Sequence, residues 1–160
     1  MKITILCVGK IKEAYFTGGI REYEKRLSRY CKLDIIEVAD EKTPDGASEA
    51  QETAIRRKEG ERLLKQLKDE NAYVIALAIE GKQRDSLEFA RLIDELGIRG
   101  VSHLVFIIGG SLGLDEAVLA RADEKLSFSN MTFPHQLMRV ILLEQIYRGY
   151  RIIKGEPYHK

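Results

Sequence analysis

The sequence is poor in the features that mark several protein classes. Its 160 residues include two cysteines, three prolines and no tryptophan. Its longest apolar runs are about six residues, whereas a helix that crosses a bilayer needs roughly 20. The N-terminus enters a strand-like pattern at once and lacks the layout of a signal peptide. We therefore expect no membrane segment and a place in the cytoplasm.

Cysteine and histidine are too few and too scattered to indicate a metal site. Cys7 lies in an apolar run, which favours a buried, reduced thiol and a reducing compartment. His103, His135 and His159 have no spacing typical of metal ligands. We expect no metal, and no Ser-His-Asp or Cys-His nucleophilic set stands out.

The composition nevertheless supports a folded chain with an uneven distribution of charge. Hydrophobic residues make up 44% and charged residues 32%, which excludes a wholly disordered protein. The length predicts one domain spanning 1–160. The net charge is only +1, but residues 1–32 hold eight Lys or Arg against three Asp or Glu, and 134–160 hold five against two. The ends of the chain could build a basic surface, or the charges could simply lie on solvated helix faces.

Unbroken apolar runs alternate with helical patterns along the chain. Continuous apolar strands are typical of a parallel sheet covered on both faces, so the pattern predicts an α/β fold with a mainly parallel sheet. The strands are predicted at 3–8, 33–38, 73–79, 104–108 and 125–128.

Five helices are predicted between and after these strands. The first has apolar residues spaced by three and four between positions 16 and 30, and the second lies around 55–67. Ser86 is a plausible N-cap for the third, which ends near Gly97. Asp115 could cap a short fourth helix, and the fifth begins near Pro134 and runs to about residue 154.

Two segments near the predicted carboxyl ends of strands could bind a ligand. The strand at 104–108 is followed by 109–113 (GGSLG), where glycines allow close approach of a ligand or simply a tight turn. The segment 128–135 (FSNMTFPH) has no charge if His135 is neutral. Such a loop could surround a purine ring with its backbone groups, or it could be an ordinary packed connection.

Arg139 is unusual because it falls in the middle of the apolar face of the last helix. At 100° per residue, the apolar side chains nearest to it lie within roughly 60°. A buried guanidinium is costly unless it is paired, so Arg139 either has a carboxylate partner or faces a ligand site. The same helix is apolar in other directions too, which predicts burial against a second copy of the chain.

The tail 155–160 (GEPYHK) ends the chain with Tyr158 and His159. Both side chains can stack on a base and exchange protons. A frayed terminus is the alternative, since most tails are poorly tied down.

Five blocks of the sequence resemble the RlmH family, bacterial large-subunit rRNA methyltransferases of the SPOUT, or α/β-knot, class. The resemblance runs from end to end, and it is most specific in the last three blocks. The blocks are KITILCVGKIKE, VIALAIEGK, IIGGSLGL, LSFSNMTFPHQLMRVILLEQIYR and PYHK.

The resemblance implies a parallel sheet with a deep C-terminal trefoil knot, a homodimer and S-adenosyl-methionine as cofactor. The implied reaction is methylation of N3 of a pseudouridine in 23S rRNA of the assembled ribosome. The tail of the second subunit would lie beside the cofactor. The implied cofactor-binding residues are Leu77, Gly109, Phe128, Ser129, Asn130, Met131, Thr132 and Phe133.

The reaction suggests catalytic roles for Arg139, Tyr158 and His159. Arg139 would stabilise the developing uracil anion, while His159, Tyr158 or water would accept the N3 proton. Other possibilities are a methyltransferase for another RNA position, an RNA-binding module without catalysis, and a Rossmann-type protein. The last would need its glycine-rich turn after the first strand, where only Gly9 is found.

Overall fold

The structure is a computed structural model that describes every residue from Met1 to Lys160. Strands and helices alternate along the chain, and no helix is both long and apolar enough to cross a membrane. The elements are β1 (Lys2–Val8), α1 (Ala14–Leu27), β2 (Lys32–Val38), α2 (Glu49–Gln66), β3 (Tyr73–Gln83), α3 (Ser86–Ile98), β4 (His103–Ile108), α4 (Glu116–Arg121), β5 (Glu124–Ser127) and α5 (His135–Ile153).

The five strands form one sheet in the order β2-β1-β4-β3-β5. Every pairing is parallel, which confirms the predicted α/β architecture. In a parallel sheet all carboxyl ends lie at one edge, where ligands of open α/β folds bind. The sheet order therefore brings the segments that follow β3, β4 and β5 together.

Helices cover both faces of the sheet and create two cores. Successive strand residues point to opposite faces, so Ile5 packs with α1, α3 and α5, while Leu6 packs with α2 and α4. This two-sided burial explains why the strands are apolar without interruption. Cys7 is buried as a free thiol, as predicted, and burial raises its pKa to about 12.

The start of α3 differs from the prediction by one residue. The N-cap is Asp85, not Ser86, because the carboxylate of Asp85 accepts from the Glu88 backbone N–H at 2.7 Å. Glu88 completes a capping box by accepting from the Asp85 N–H at 2.8 Å. The Ser86 hydroxyl instead donates to Gln145 at 2.7 Å, which joins α3 to α5. The predicted cap of α4 by Asp115 is confirmed.

Strand β3 continues four residues beyond its predicted end at Ile79. Its pairing with β5 shifts register, because both Leu77 and Lys82 pair with Leu126. Gly81 lies so close to β5 that an added Cβ would come within 2.7 Å of the Lys125 carbonyl carbon. The sequence pattern did not indicate this extension, because the residues after Ile79 are polar. The bulge produced by the register shift directs part of β3 toward the site described next.

Candidate active site

A cleft of about 820 Å³ lies at the carboxyl edge of the sheet. This volume is within the range of small-molecule sites, roughly 300–1,000 Å³. The ends of β3, β4 and β5 form its walls, and the start of α5 closes one side. The lining residues are Arg56, Leu77–Glu80, Ile108–Leu114, Leu119, Leu126–Ser129, Met131–Gln136 and Met138.

Seven of the eight residues predicted to bind the cofactor line this cleft. They come from three separate parts of the chain, and the sheet order brings them together. Asn130 is the exception, because its side chain accepts from the Gln83 amide at 3.2 Å and so ties the loop to the end of β3. The seven are Leu77, Gly109, Phe128, Ser129, Met131, Thr132 and Phe133. Their contact with a cofactor stays a prediction.

The loop 128–133 offers unused backbone groups to the cleft. Met131 N–H donates to the Ser129 hydroxyl at 3.0 Å, and the Ser127 hydroxyl donates to the Ser129 carbonyl at 3.1 Å. The other backbone N–H groups of the loop make no hydrogen bond within the chain. Those donors are therefore free to bind water or a polar ligand.

The turn after β4 is both tight and part of the cleft wall. A Cβ added at Gly109 would lie 3.0 Å from the carbonyl carbon of Gly113, and one at Gly110 would lie 3.1 Å from a carboxylate oxygen of Glu59. Gly113 itself has a φ of 83°, in the region that favours glycine. The two alternatives offered by the sequence, a tight turn and a ligand wall, thus describe the same residues.

Glu59 packs against this turn and is not among the site residues predicted from the sequence. Its side chain is 4% exposed and accepts from the Glu41 backbone N–H at 3.0 Å. Burial raises the pKa of Glu59 and Asp40 adds to this, while Arg62 opposes it. The sequence does indicate that Glu59 is buried, because Glu59 lies one helical turn before the apolar Leu63, on the inner face of α2.

His135 is the first residue of α5 and lines the cleft. Its half-buried imidazole makes no hydrogen bond with any protein group. The ring lies over the turn after β1, where an added Cβ on Gly9 would be 3.5 Å from Nε2. Burial and the nearby Arg139 lower the pKa of His135, while Asp40 and Glu13 act in the opposite direction. In the sequence, His135 is only one of three histidines without metal-ligand spacing and the last residue of an uncharged segment.

Of the two alternatives predicted for Arg139, a carboxylate partner or a ligand site, the structure shows the carboxylate partner. Its side chain is 2% exposed. The guanidinium donates to Glu37 at the end of β2 and to the Gly9 carbonyl at 3.2 Å. Its Nε is buried without a partner. Arg139 lies one helical turn after His135 but does not line the cleft, so its predicted catalytic role stays a prediction.

The tail folds back on the middle of its own α5 rather than into its own cleft. The Tyr158 hydroxyl donates to Glu144 at 3.1 Å, and its ring packs edge-on against Tyr147 with centroids 4.9 Å apart. Arg148 lies 4.7 Å above the Tyr158 ring and donates to His159 Nδ1 at 3.2 Å. Burial, followed by Glu144, raises the pKa of Tyr158 to about 12. Within one chain, the tail residues and the cleft residues are therefore separate.

No group of three or more His, Cys, Asp or Glu side chains is arranged to hold a metal ion. The titratable side chains that line the cleft are Arg56, Glu80 and His135. The site is thus a largely uncharged cleft with free backbone donors.

Two solved structures are similar to this fold. A probable methylase family protein from Haemophilus influenzae Rd KW20 superposes with a TM-score of 0.57 at 12% identity, covering 99% of this chain and 70% of that one. A tRNA (m1G37) methyltransferase from Aquifex aeolicus gives a TM-score of 0.54 at 12% identity, covering 92% of this chain and 70% of that one. At such identity the likeness shows the fold alone. The knot itself stays a prediction.

Sequence comparison gives a more specific result. Proteins named ribosomal RNA large subunit methyltransferase H are 65% identical in Bifidobacterium adolescentis and 64% identical in Clostridium beijerinckii, over 160 residues and the full length of both chains. The family model described as "Predicted SPOUT methyltransferase" matches residues 1–159. The resemblance stated from the sequence is confirmed, and the chain belongs to the SPOUT methyltransferase family.

Proposed function

We propose that this chain is an S-adenosyl-methionine-dependent methyltransferase that acts on N3 of a pseudouridine in 23S rRNA of the assembled ribosome. Proteins named large-subunit rRNA methyltransferases are 65% and 64% identical to this chain over its full length, which supports methyl transfer to that class of RNA. The cleft at the carboxyl edge of the sheet is the observation that carries the proposal. Because the proposed substrate is the ribosome, we expect the protein in the cytoplasm.

The cleft fits the cofactor in size and in chemistry. The loop 128–133 bears no charge and leaves backbone N–H groups free, as an adenine ring and a methionyl carboxylate require. Leu77 and Phe128 supply apolar walls, and the Gly109 turn lets the backbone approach the ligand. When bound, S-adenosyl-methionine supplies an already activated methyl group. The protein's own task is to align the reacting atoms and exclude water.

A second copy of the chain would complete the site. The tail does not line the cleft of its own chain, and α5 keeps Leu137, Ile141 and Ile152 partly exposed on its outer side. A homodimer that buries these residues would bring the partner's tail to the cleft. The raised pKa of Tyr158 keeps its hydroxyl protonated at neutral pH. In this proposal the Tyr158 hydroxyl therefore donates a hydrogen bond, and His159 contacts the RNA.

Arginines stacked on tyrosines provide a surface for the RNA backbone. Arg26 lies 5.4 Å from the Tyr23 ring centroid, and Arg151 lies 5.9 Å from that of Tyr147. These side chains belong to α1 and α5, the two basic ends of the chain. We propose that they contact rRNA phosphates, which position the substrate without reading its sequence.

The proposal is tested by incubating the protein with ribosomes and cofactor carrying a labelled methyl group, then locating the label. We expect it on N3 of one pseudouridine in 23S rRNA, with more transfer to assembled ribosomes than to free rRNA. Label at another nucleotide would support the alternative of a different RNA position. Cofactor binding by calorimetry without any transfer would support an RNA-binding module and contradict the proposed reaction.

A further inference from the structure

The cleft contains one side chain suited to accept a proton at neutral pH. Of its three titratable groups, the Arg56 guanidinium has hydrogen-bond donors and no acceptor. Glu80 lies on the exposed end of the β3 bulge. His135 is half-buried, points at the turn after β1 and makes no hydrogen bond with the protein. Neither ring nitrogen is therefore occupied by a hydrogen bond within the chain.

The other two histidines already form hydrogen bonds within the chain. His103 lies at the opposite edge of the sheet, between the Thr4 hydroxyl and the Asp69 carboxylate, each 2.9 Å away. His159 accepts from Arg148 through Nδ1, since an arginine can only donate. His135 alone combines a place in the cleft with a free imidazole.

We propose that His135 is the general base that removes the proton from the target nitrogen of the RNA base. This deepens the proposed function and rests on it. The N–H proton moves to the unprotonated ring nitrogen of His135, and the electron pair on the RNA nitrogen forms the new N–C bond. The C–S bond of the donor breaks with its electrons on sulfur. The imidazolium then releases its proton to solvent.

The surroundings of His135 suit this task. Arg139 on the same helix disfavours the imidazolium, whereas Asp40 after β2 and Glu13 before α1 favour it. The effects of burial and Arg139 outweigh those of the two carboxylates, so the pKa of His135 lies below its ordinary value. The ring is therefore neutral at pH 7. A neutral, partly desolvated imidazole beside two carboxylates can accept a proton and tolerate the charge that results.

The test compares wild type with His135→Gln in single-turnover methylation of ribosomes between pH 5.5 and 9.5. For wild type we expect a rate that rises tenfold per pH unit and levels off below neutrality, at the pKa of His135. For His135→Gln we expect a rate about 10²–10³-fold lower at pH 7. It should keep rising toward pH 9, as the target nitrogen ionises by itself.

Two measurements separate catalysis from structure and from cofactor binding. Titration of the histidine rings by NMR in the cofactor-free protein should give His135 a pKa below its ordinary value. Calorimetry should show that His135→Gln binds S-adenosyl-methionine within a few-fold of wild type. If the Gln variant does not fold, His135→Ala serves instead, and added imidazole should restore its rate in proportion to the unprotonated imidazole.

His103→Gln is the matched control, and it should keep the wild-type pH profile. A His135→Gln rate within threefold of wild type at pH 7, or a lower rate with an unchanged pH profile, would overturn the assignment. A loss of cofactor affinity as large as the loss of rate would also overturn it. Failure of the proposed function looks different, because wild type would then transfer no methyl group at any pH.

Discussion

Arg139 and Glu37 form an ion pair that ties the last helix to the end of the second strand, across 102 residues of chain. The pair is asymmetric, because the Arg139 side chain is 2% exposed and that of Glu37 is 33% exposed. The carboxylate keeps contact with water, whereas the guanidinium depends on its protein partners. The pair fixes the start of α5 against the carboxyl edge of the sheet, beside the cleft.

Removing the carboxylate should therefore cost more than removing the guanidinium. We expect Glu37→Ala to lower the free energy of unfolding by about 3 kcal/mol, because it leaves a buried charge without its partner. We expect Arg139→Met, which fills the site with an apolar side chain, to change it by about 1 kcal/mol or less. Urea denaturation of both variants measures the difference. Equal losses would contradict the asymmetry.

Arg139→Met also tests the predicted electrostatic role of Arg139. If the guanidinium stabilises the uracil anion, turnover on ribosomes should fall by about 10²-fold or more in a folded variant. The kinetics should be compared with those of Glu37→Gln, which keeps Arg139. Normal turnover by Arg139→Met would leave the ion pair with a structural role only.

Gly109→Ala should weaken cofactor binding. The added Cβ would meet the backbone of Gly113 at 3.0 Å, so the turn that forms part of the cleft wall must shift. We expect at least about a tenfold loss of affinity for S-adenosyl-methionine. Gly18→Ala is the control, because nothing lies within 4 Å of its added Cβ, on helix α1. Calorimetry on both variants checks the result, and unchanged affinity in Gly109→Ala would remove the turn from the cofactor site.

Deleting residues 158–160 should abolish methylation and leave cofactor affinity within a few-fold of wild type. The residues predicted to bind the cofactor that line the cleft lie at 77, 109 and 128–133, outside the tail, so we expect cofactor affinity to depend little on it. In the proposed homodimer, we expect an equal mixture of the deletion variant and Gly109→Ala to restore up to about a quarter of the wild-type rate, because half of the dimers would carry one intact site. The cofactor concentration is kept well below the Kd of Gly109→Ala, so that this variant contributes little by itself. A normal rate from the deletion variant alone would refute a role for the tail.

Glu59→Gln should stabilise the protein at neutral pH, because burial of the Glu59 carboxylate raises its pKa in the folded state. The folded protein then binds this proton more tightly than the unfolded chain, so ionisation costs stability as the pH rises through the folded pKa. We expect a gain of roughly 1 kcal/mol or less at pH 7 that disappears near pH 4. Thermal unfolding at both values measures it, and a gain independent of pH would exclude this cause.

The strands could be predicted because burial on both faces leaves a continuous apolar signal, as in β1 and β4. The cleft wall at 128–133 could also be predicted, because the sequence has an uncharged run there that precedes a proline. The Arg139–Glu37 pair was not predictable in detail, since a sequence shows a buried charge but not a partner 102 residues away. The sequence predicts Ser86 as the cap of α3, but the carboxylate of Asp85, one residue earlier, accepts from the Glu88 N–H instead.

The role of His135 was hidden for a similar reason. The sequence shows its position in an uncharged segment. It does not show that the fold brings Gly9 and Asp40 near the ring from the ends of β1 and β2 and leaves the ring without a hydrogen-bond partner. Sequence patterns indicate readily which residues are buried. They indicate less readily which polar groups have no hydrogen-bond partner in the folded chain.

The proposed function depends most directly on where the cofactor binds. A crystal structure of the protein with S-adenosyl-homocysteine, the product left after methyl transfer, tests this in one measurement. We expect the adenine and the amino-acid moiety to contact the loop 128–133 and the Gly109 turn, with the tail of a second subunit beside them. A ligand bound elsewhere on the chain, with the cleft at the carboxyl edge of the sheet empty, would contradict the account.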